Sequence, residues 1–542
     1  MKKQFQTHFG PQTTVKNIKM RRNWYIAFGI VLIGLASIFV MLHDIIWFYA
    51  FLVPLAIIAI YDLLQTQHSI LRNFPILGHF RFILEFIRPE IQQYFIENDE
   101  EEKPFNRQNR SIVYQRAKNE IDTQPFGTIL DPYLPGYTWA GHSIMPVHIK
   151  DIDPRIIIGG DRCTQPYSAS RMNISAMSFG SLSPNAIMAL NQGAKIGGFA
   201  HNTGEGGISS YHLQGGDLVF QVGTGYFGCR NDKGEFDPQE FQKEALRPEV
   251  KMIELKLSQG AKPGHGGILP AAKLTPEIAR VRKVPLGHDV ISPIKHSTFN
   301  TPIELLKFID HLRSLSGGKP VGFKICIGRR REFAAICKAM LETHILPDFI
   351  TVDGGEGGTG AAPLEFSNHL GEPLESALLY VHNTLVGTNL RDKIRIICSG
   401  KIITGFDMIS HIALGADIFN LARGMMLSLG CIQSRQCNLN TCPTGVATQS
   451  RHLQWGLVVA EKKIRVANFH QNTINSFLEI VGAMGLKNPS EIKPDFIKRR
   501  INETTVKTFD EMFDYIEPGA LLKQNLPKGF QKIWTLSSAE KF

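Results

Sequence analysis

The sequence predicts an α/β protein: a (β/α)8 TIM barrel behind an N-terminal transmembrane helical hairpin. Three observations carry this. Two long uncharged runs stand close to the N-terminus. From residue 171 onward, short apolar β-branched runs alternate with helical stretches, the pattern of a parallel sheet. The ends of those runs are rich in glycine, as a barrel's ligand-binding face requires. A chain of 542 residues, 43% apolar and 20% charged, can bury a large core and carry further segments.

The first elements follow from charge. Lys2, Lys3, Lys16, Lys19, Arg21 and Arg22 supply six of the ten net positive charges, with no acid before residue 24. Residues 1–23 therefore read as a basic cytoplasmic tail, and the basicity as membrane topology. Aromatics do not alternate with Lys and Arg, so no nucleic-acid partner is expected. Residues 24–42 and 45–61 are uncharged and near the roughly 17–25 residues that cross a bilayer. Trp24, Tyr25, Trp47 and Tyr61 sit near their ends, as interfacial aromatics do. His43-Asp44 reads as the turn, and 24–64 as two transmembrane helices. Residues 65–160 read as a helical, then irregular, linking segment, with a solvated charge run at Glu97–Lys103.

The barrel is placed over 161–455. Its strands are predicted at 172–176, 198–202, 252–256, 287–291, 321–327, 348–353, 394–398 and 417–421. Residues 205–250 read as an insertion after the second strand. Ser183-Pro184 supplies an N-cap and an N1 proline for the first helix. Residues 458–485 read as helix, within a C-terminal helical extension over 456–542.

Barrel sites form where strands end. The loops after the last two strands hold Gly400-Lys401 and Arg423-Gly424, suited to a phosphate group. Lys324 lies inside an apolar strand, where a cation needs an anionic partner. A reduced flavin would be one. Gly355-Glu-Gly-Gly-Thr-Gly360 matches G-x-G-x-x-G, but Ala-Ala-Pro follows where a dinucleotide site needs a helix.

Cys431, Cys437 and Cys442 form C-x5-C-x4-C, three of the eight cysteines within twelve residues. Thiolates this crowded suit soft metals, above all iron–sulfur clusters. The paired spacing of a zinc site is absent. Spacing alone leaves a 3Fe and a 4Fe cluster both open.

At these residues the chain resembles a known family. Ala176-Met-Ser-Phe-Gly, Asn202-Thr-Gly-Glu-Gly-Gly, Gln259-Gly-Ala-Lys-Pro-Gly, Asp353-Gly-Gly-Glu-Gly-Gly-Thr-Gly-Ala and Cys437-Asn-Leu-Asn-Thr-Cys-Pro-Thr-Gly resemble the FMN-binding synthase domain of glutamate synthases. The layout looks like a stand-alone, membrane-associated branch. The resemblance implies a barrel with an iron–sulfur loop, FMN, and a [3Fe-4S] cluster on Cys431, Cys437 and Cys442. It implies that Gln259, Lys262 and Glu205 meet 2-oxoglutarate and its imine. Met177, Ser178, Gly180, Lys324, Asp353, Gly354 and Gly355 would line the flavin. Gly400, Lys401, Arg423 and Gly424 would hold its phosphate.

Departures narrow this. Lys2 follows Met1 and the first cysteine is Cys163, so no glutaminase nucleophile is expected. His265 stands where the family has an acid, and Lys295-His296-Ser297 where it has a Pro/His-rich loop. The expected reaction is reduction of 2-iminoglutarate, formed from 2-oxoglutarate and ammonia, to L-glutamate. Electrons would come from a reductase or a ferredoxin-like protein. The alternative is a membrane-associated flavin dehydrogenase of another amino or oxo acid. The expected location is the inner or cell membrane, with the catalytic domain facing the cytoplasm.

Overall fold

The computed structural model describes residues 26–38, 45–120 and 123–542. The chain divides into two compact units, Met1–Glu102 and Lys103–Phe542.

In the first unit the transmembrane hairpin is corrected. Among the described residues, no helix is long and apolar enough to cross a membrane. The first apolar run is helical over its described residues, 26–38. The basic tail and the His43-Asp44 turn lie outside the described residues. The second run forms helix Ile45–Leu64, with Pro54 inside it. Near its end Asp62 is fully buried. It accepts the Ile76 N–H at 2.9 Å and bonds His79 Nε2 at 3.0 Å. These bonds tie the end of the helix to the start of the next one, Leu77–Ile91. The membrane partner expected from the hairpin loses its support with it.

The second unit holds a closed parallel barrel. Its strands are β1 (Met172–Ile174), β2 (His201–Asn202), β3 (Leu218–Val222), β4 (Val250–Lys256), β5 (Val321–Ile325), β6 (Phe349–Asp353), β7 (Arg395–Ser399) and β8 (Ile418–Leu421). They pair in chain order, and β8 closes onto β1. The predicted strand at 287–291 is not among them. Val290–Ile291 instead pairs antiparallel with Ile268–Leu269, outside the barrel. The missing strand is β3, inside the stretch read as an insertion. Leu-Val-Phe-Gln-Val is wholly buried and bounded by glycines, a strand signal.

The barrel interior is layered, because inward positions alternate along each strand. At its N-terminal end Val219, Met252, Phe349, Ile397 and Ile418 pack with Ile158, Tyr167 and Ala169. Those three come from the hairpin Arg155–Ile158/Tyr167–Ser170, which plugs the barrel. One layer up, Glu254 is buried and collects three donors. Asn202 Nδ2 and Gln221 Nε2 reach Oε1 at 2.7 Å each, and Thr351 Oγ1 reaches Oε2 at 2.6 Å. Glu254→Leu strands all three donors, so it is expected to cost about 3 kcal/mol of unfolding free energy. Chemical denaturation checks this; a loss below about 0.5 kcal/mol would mean that the layer does not hold the barrel.

Outside the barrel, Ser183 caps helix Pro184–Gly197 as its sequence predicts, accepting from Ala186 N at 3.2 Å. Helix Val459–Ala483 packs on it so closely that a Cβ at Gly193 would meet Val466 Cγ1 at 2.6 Å. Helix Arg107–Lys118 packs on the same helix through Arg116, which donates to Ser476 Oγ at 3.1 Å.

Candidate active site

The site is built on the C-terminal ends of the strands, where the alternation that is apolar at the plug becomes charged. Met252, Glu254 and Lys256 face inward in turn along β4. The loop after β2 brings Glu205 over the barrel mouth. Lys256 Nζ donates to Glu205 Oε2 at 2.7 Å. Gly267 lies so close that a Cβ there would overlap Glu205 Oε1. Burial alone would raise the Glu205 carboxyl. The charges of Lys256, Arg282 and Lys262 outweigh it and hold the carboxyl below its ordinary value.

Arg282 ends helix Pro276–Arg282 and is buried. It donates to Ser178 Oγ at 3.2 Å and to Phe179 O at 3.0 Å, so the same cation holds the loop after β1. Burial lowers it to about 10. Lys262 is buried, donates to Ala361 O at 2.7 Å, and is lowered by that burial. Gln259 is partly buried at the start of the same turn. Its carbonyl accepts from Lys262 N at 3.4 Å. His296, in the divergent 295–297 loop, backs Lys256: Nε2 meets Lys256 O at 2.8 Å and Nδ1 meets Tyr226 OH at 3.0 Å. Burial pulls His296 down to about 4, so it is neutral at pH 7. His265 is spent locally, with Nδ1 2.8 Å from Gly266 O and its ring edge-on to Phe366.

The pairing of Glu205 has a measurable sign. Its lowered carboxyl contributes stability above the value it has in the unfolded chain, and loses it as pH falls through the folded value. Lys256→Met removes the largest opposing charge and lets burial raise the carboxyl. The loss of Tm on acidification is therefore expected to shrink in Lys256→Met. Parallel Tm-against-pH curves for the two proteins would refute the pairing.

The remaining predicted residues fall into two groups around this mouth. Met177, Ser178 and Gly180 are buried in the loop after β1. Across the barrel, Lys324 pairs with Asp353 at 3.1 Å, and Asp353 also accepts from Gly260 N at 2.9 Å. A Cβ at Gly260 would overlap the Gly354 carbonyl, so only glycine permits that approach. Burial opposes the Lys324 charge, but Asp353 and Glu254 outweigh it and raise the lysine. The anion Lys324 requires is thus supplied by the fold itself. Gly354 and Gly355 have their N–H groups committed to Ser399 O and Glu372 O.

The second group is Gly400, Lys401, Arg423 and Gly424. Arg423 donates to Glu356 O at 3.0 Å and lies 4.7 Å over the Phe105 ring. Among the described residues neither Arg423 nor Lys401 has a carboxylate within ion-pair distance. Burial lowers both, Arg423 to about 10. Two cations short of an anion, beside the loops of β7 and β8, fit a phosphate group.

The three cysteines are free thiols on one loop. Gln433 N donates to Cys431 Sγ at 3.5 Å, and Thr444 Oγ1 lies 3.5 Å from Cys442 Sγ. Burial pushes Cys431 up to about 12, and the charges of Cys437 and Cys442 add to it, so the three thiols share one neighbourhood. Gln433, Arg435 and Asn440 are left-handed, which curls the backbone around them. Among the described residues, no three His, Cys, Asp or Glu side chains close on a single metal ion. A cluster presents its irons at separated corners, so thiols gathered loosely on one loop fit it better than one ion.

The conserved region in glutamate synthase matches residues 146–487, more than half of the chain. The chain belongs to the glutamate synthase family, whose members are oxidoreductases acting on CH–NH2 donors. It is 37% identical to the glutamate synthase large subunit-like protein YerD of Bacillus subtilis, over 85% of this chain and 95% of that one. It is 34% identical to the archaeal-type glutamate synthase [NADPH] of Thermotoga neapolitana, over 58% of this chain and 59% of that one. It is also 34% identical to the glutamate synthase [NADPH] large chain of Bacillus subtilis, over 52% of this chain but 18% of that one. The chain thus spans about three-fifths of the archaeal-type relative.

Lys256, Arg282 and His296 were absent from the sequence-derived site. Lys256 carried a weaker form of the signal that singled out Lys324: it is a buried lysine next to Leu255, on a strand that also holds Lys251 and Glu254. Arg282 lies on a short helix remote in sequence, and only the chain's path brings it to Glu205.

Proposed function

We propose that this protein reduces the imine of 2-oxoglutarate and ammonia to L-glutamate, with FMN, an iron–sulfur cluster on Cys431, Cys437 and Cys442, and electrons from a separate donor protein. One observation carries the reading: Lys256, Lys262 and Arg282 surround the single carboxylate of Glu205. Three cations against one anion leave a surplus of two positive charges, which suits a dicarboxylate. Family membership supports the same substrate class. Arg423 and Lys401 would hold the phosphate of FMN, and Met177, Ser178 and Gly180 would border its ring. When bound, the flavin supplies hydride chemistry and the cluster single electrons.

The chain's own groups do the rest. Lys262 and Arg282 bind and orient carboxylates. Glu205, ionised and hydrogen-bonded to Lys256, is placed to accept a hydrogen bond from an ammonium or imine nitrogen and to exchange a proton with it. The Lys324–Asp353 pair keeps a cation at the barrel mouth without a net charge. Neutral His296 holds the Lys256 carbonyl and so the end of β4.

The test uses the purified full chain under anaerobic conditions, reduced with a low-potential donor. Adding 2-oxoglutarate and ammonia together is expected to reoxidise the flavin and yield glutamate. A bound, reducible flavin that neither reoxidises nor forms glutamate would sink the reading.

A further inference from the structure

We infer that Lys273 is a positioning residue that clamps the cysteine loop to the loop after β1 and supplies the positive charge that sets the cluster's reduction potential. This rests on the reading above, in which those two loops border the cluster and the flavin. Lys273 ends the turn Ala271–Lys273 and is 3% exposed. Its Nζ donates to Ser181 O at 2.6 Å, to Cys437 O at 3.2 Å and to Ala447 O at 3.2 Å. Ser181 closes the loop that carries Met177, Ser178 and Gly180. Cys437 is the middle cysteine, and Ala447 follows Cys442 on the returning strand of the loop. An ammonium has three N–H donors, and here each has a backbone carbonyl, one from the loop after β1 and two from the cysteine loop.

Among the described residues, no carboxylate lies within ion-pair distance of Lys273. An ammonium buried without a carboxylate is costly. A neutral donor would suffice if the seam needed hydrogen bonds alone. The flanking bonds are in fact neutral: Gln449 Nε2 donates to Gly180 O at 3.1 Å and Leu182 O at 2.9 Å, and Asn440 Nδ2 to Ala272 O at 2.9 Å. The charge at Lys273 is therefore the distinguishing feature of the seam, and it is held against the carbonyl of the middle cysteine. Reduction adds negative charge beside it, so a buried cation favours the reduced state and raises the potential.

The test is an anaerobic, EPR-monitored redox titration of the full chain, with iron and flavin contents measured alongside. In Lys273→Met the cluster midpoint is expected to fall by about 59 mV, a tenfold shift in a one-electron equilibrium. Lys273→Arg keeps the charge and is expected to titrate near the wild type. Lys273→Met with wild-type iron, flavin and midpoint would overturn the proposal. If Lys273→Met loses iron, Lys273→Arg decides: iron retained at the wild-type midpoint supports the clamp and its charge. Iron lost from both variants overturns it and makes the residue a packing element. Wild-type protein that carries neither iron nor flavin overturns the underlying reading, and this inference with it.

Discussion

Glu205→Gln is expected to fold, to keep its flavin, and to lose about 10²- to 10⁴-fold in glutamate formation. The substitution is nearly isosteric and leaves an acceptor for Lys256, which lies 2.7 Å from the carboxylate. What it removes is the negative charge that three cations hold ionised. An amide cannot exchange a proton with an imine nitrogen. It also leaves the surplus of positive charge larger, so 2-oxoglutarate should bind at least as well. The decisive pattern is therefore a fallen kcat with an undiminished affinity for the dicarboxylate. Equal turnover in wild type and variant would exclude Glu205 from the chemistry. A loss confined to KM would make it a binding residue only.

Cys437→Ser is expected to abolish turnover driven by an external donor while leaving FMN in place. Loss of even an outer partner of a metal site costs 10- to 100-fold, so loss of a ligand should exceed about 100-fold. On the proposed reading the cluster and the flavin phosphate would rest on different parts of the chain. Cys437 lies on the cysteine loop, whereas the cations for the flavin phosphate lie beside β7 and β8. Iron analysis, the flavin spectrum and donor-driven turnover should be measured on one preparation. Iron at the wild-type level would remove Cys437 from the ligand set. Loss of flavin together with iron would mean that the loop is chiefly structural.

The candidate site was legible where chemistry leaves a local mark. Glycines at strand ends, three clustered cysteines and a lysine inside an apolar strand are each visible without a fold. Lys256 and Glu254 left that mark too, since polar residues alternate with Ile253 and Leu255 along β4. Arg282 and Lys273 left none. Each is a cation on a short, unremarkable element, and its role exists only because distant segments meet there. Lys324 shows the opposite limit. Its need for an anion was read correctly, but Asp353 on the neighbouring strand meets it.

The barrel's strand count was right for a partly wrong reason. A weak run at 287–291 completed the set, while Leu218–Val222 was absorbed into a supposed insertion. Short apolar runs score alike in sequence, and only pairing separates them. Leu218–Val222 lies between β2 and β4 with all five residues buried, whereas Ile291 on the external pair is 67% exposed. The transmembrane hairpin is corrected on helix length and apolarity: among the described residues no helix is long and apolar enough to cross a membrane.

By itself, the sequence determined the parallel barrel and the residue types at its mouth, because strand periodicity and glycine turns are local properties of the chain, and its motifs carried the resemblance to the family. Only the tertiary structure decided which strands close the barrel, which cations surround Glu205, and that a buried lysine joins the cysteine loop to the loop after β1. The lysine's bond to Ala447 alone joins residues 174 positions apart, and no local pattern encodes a distance across a barrel.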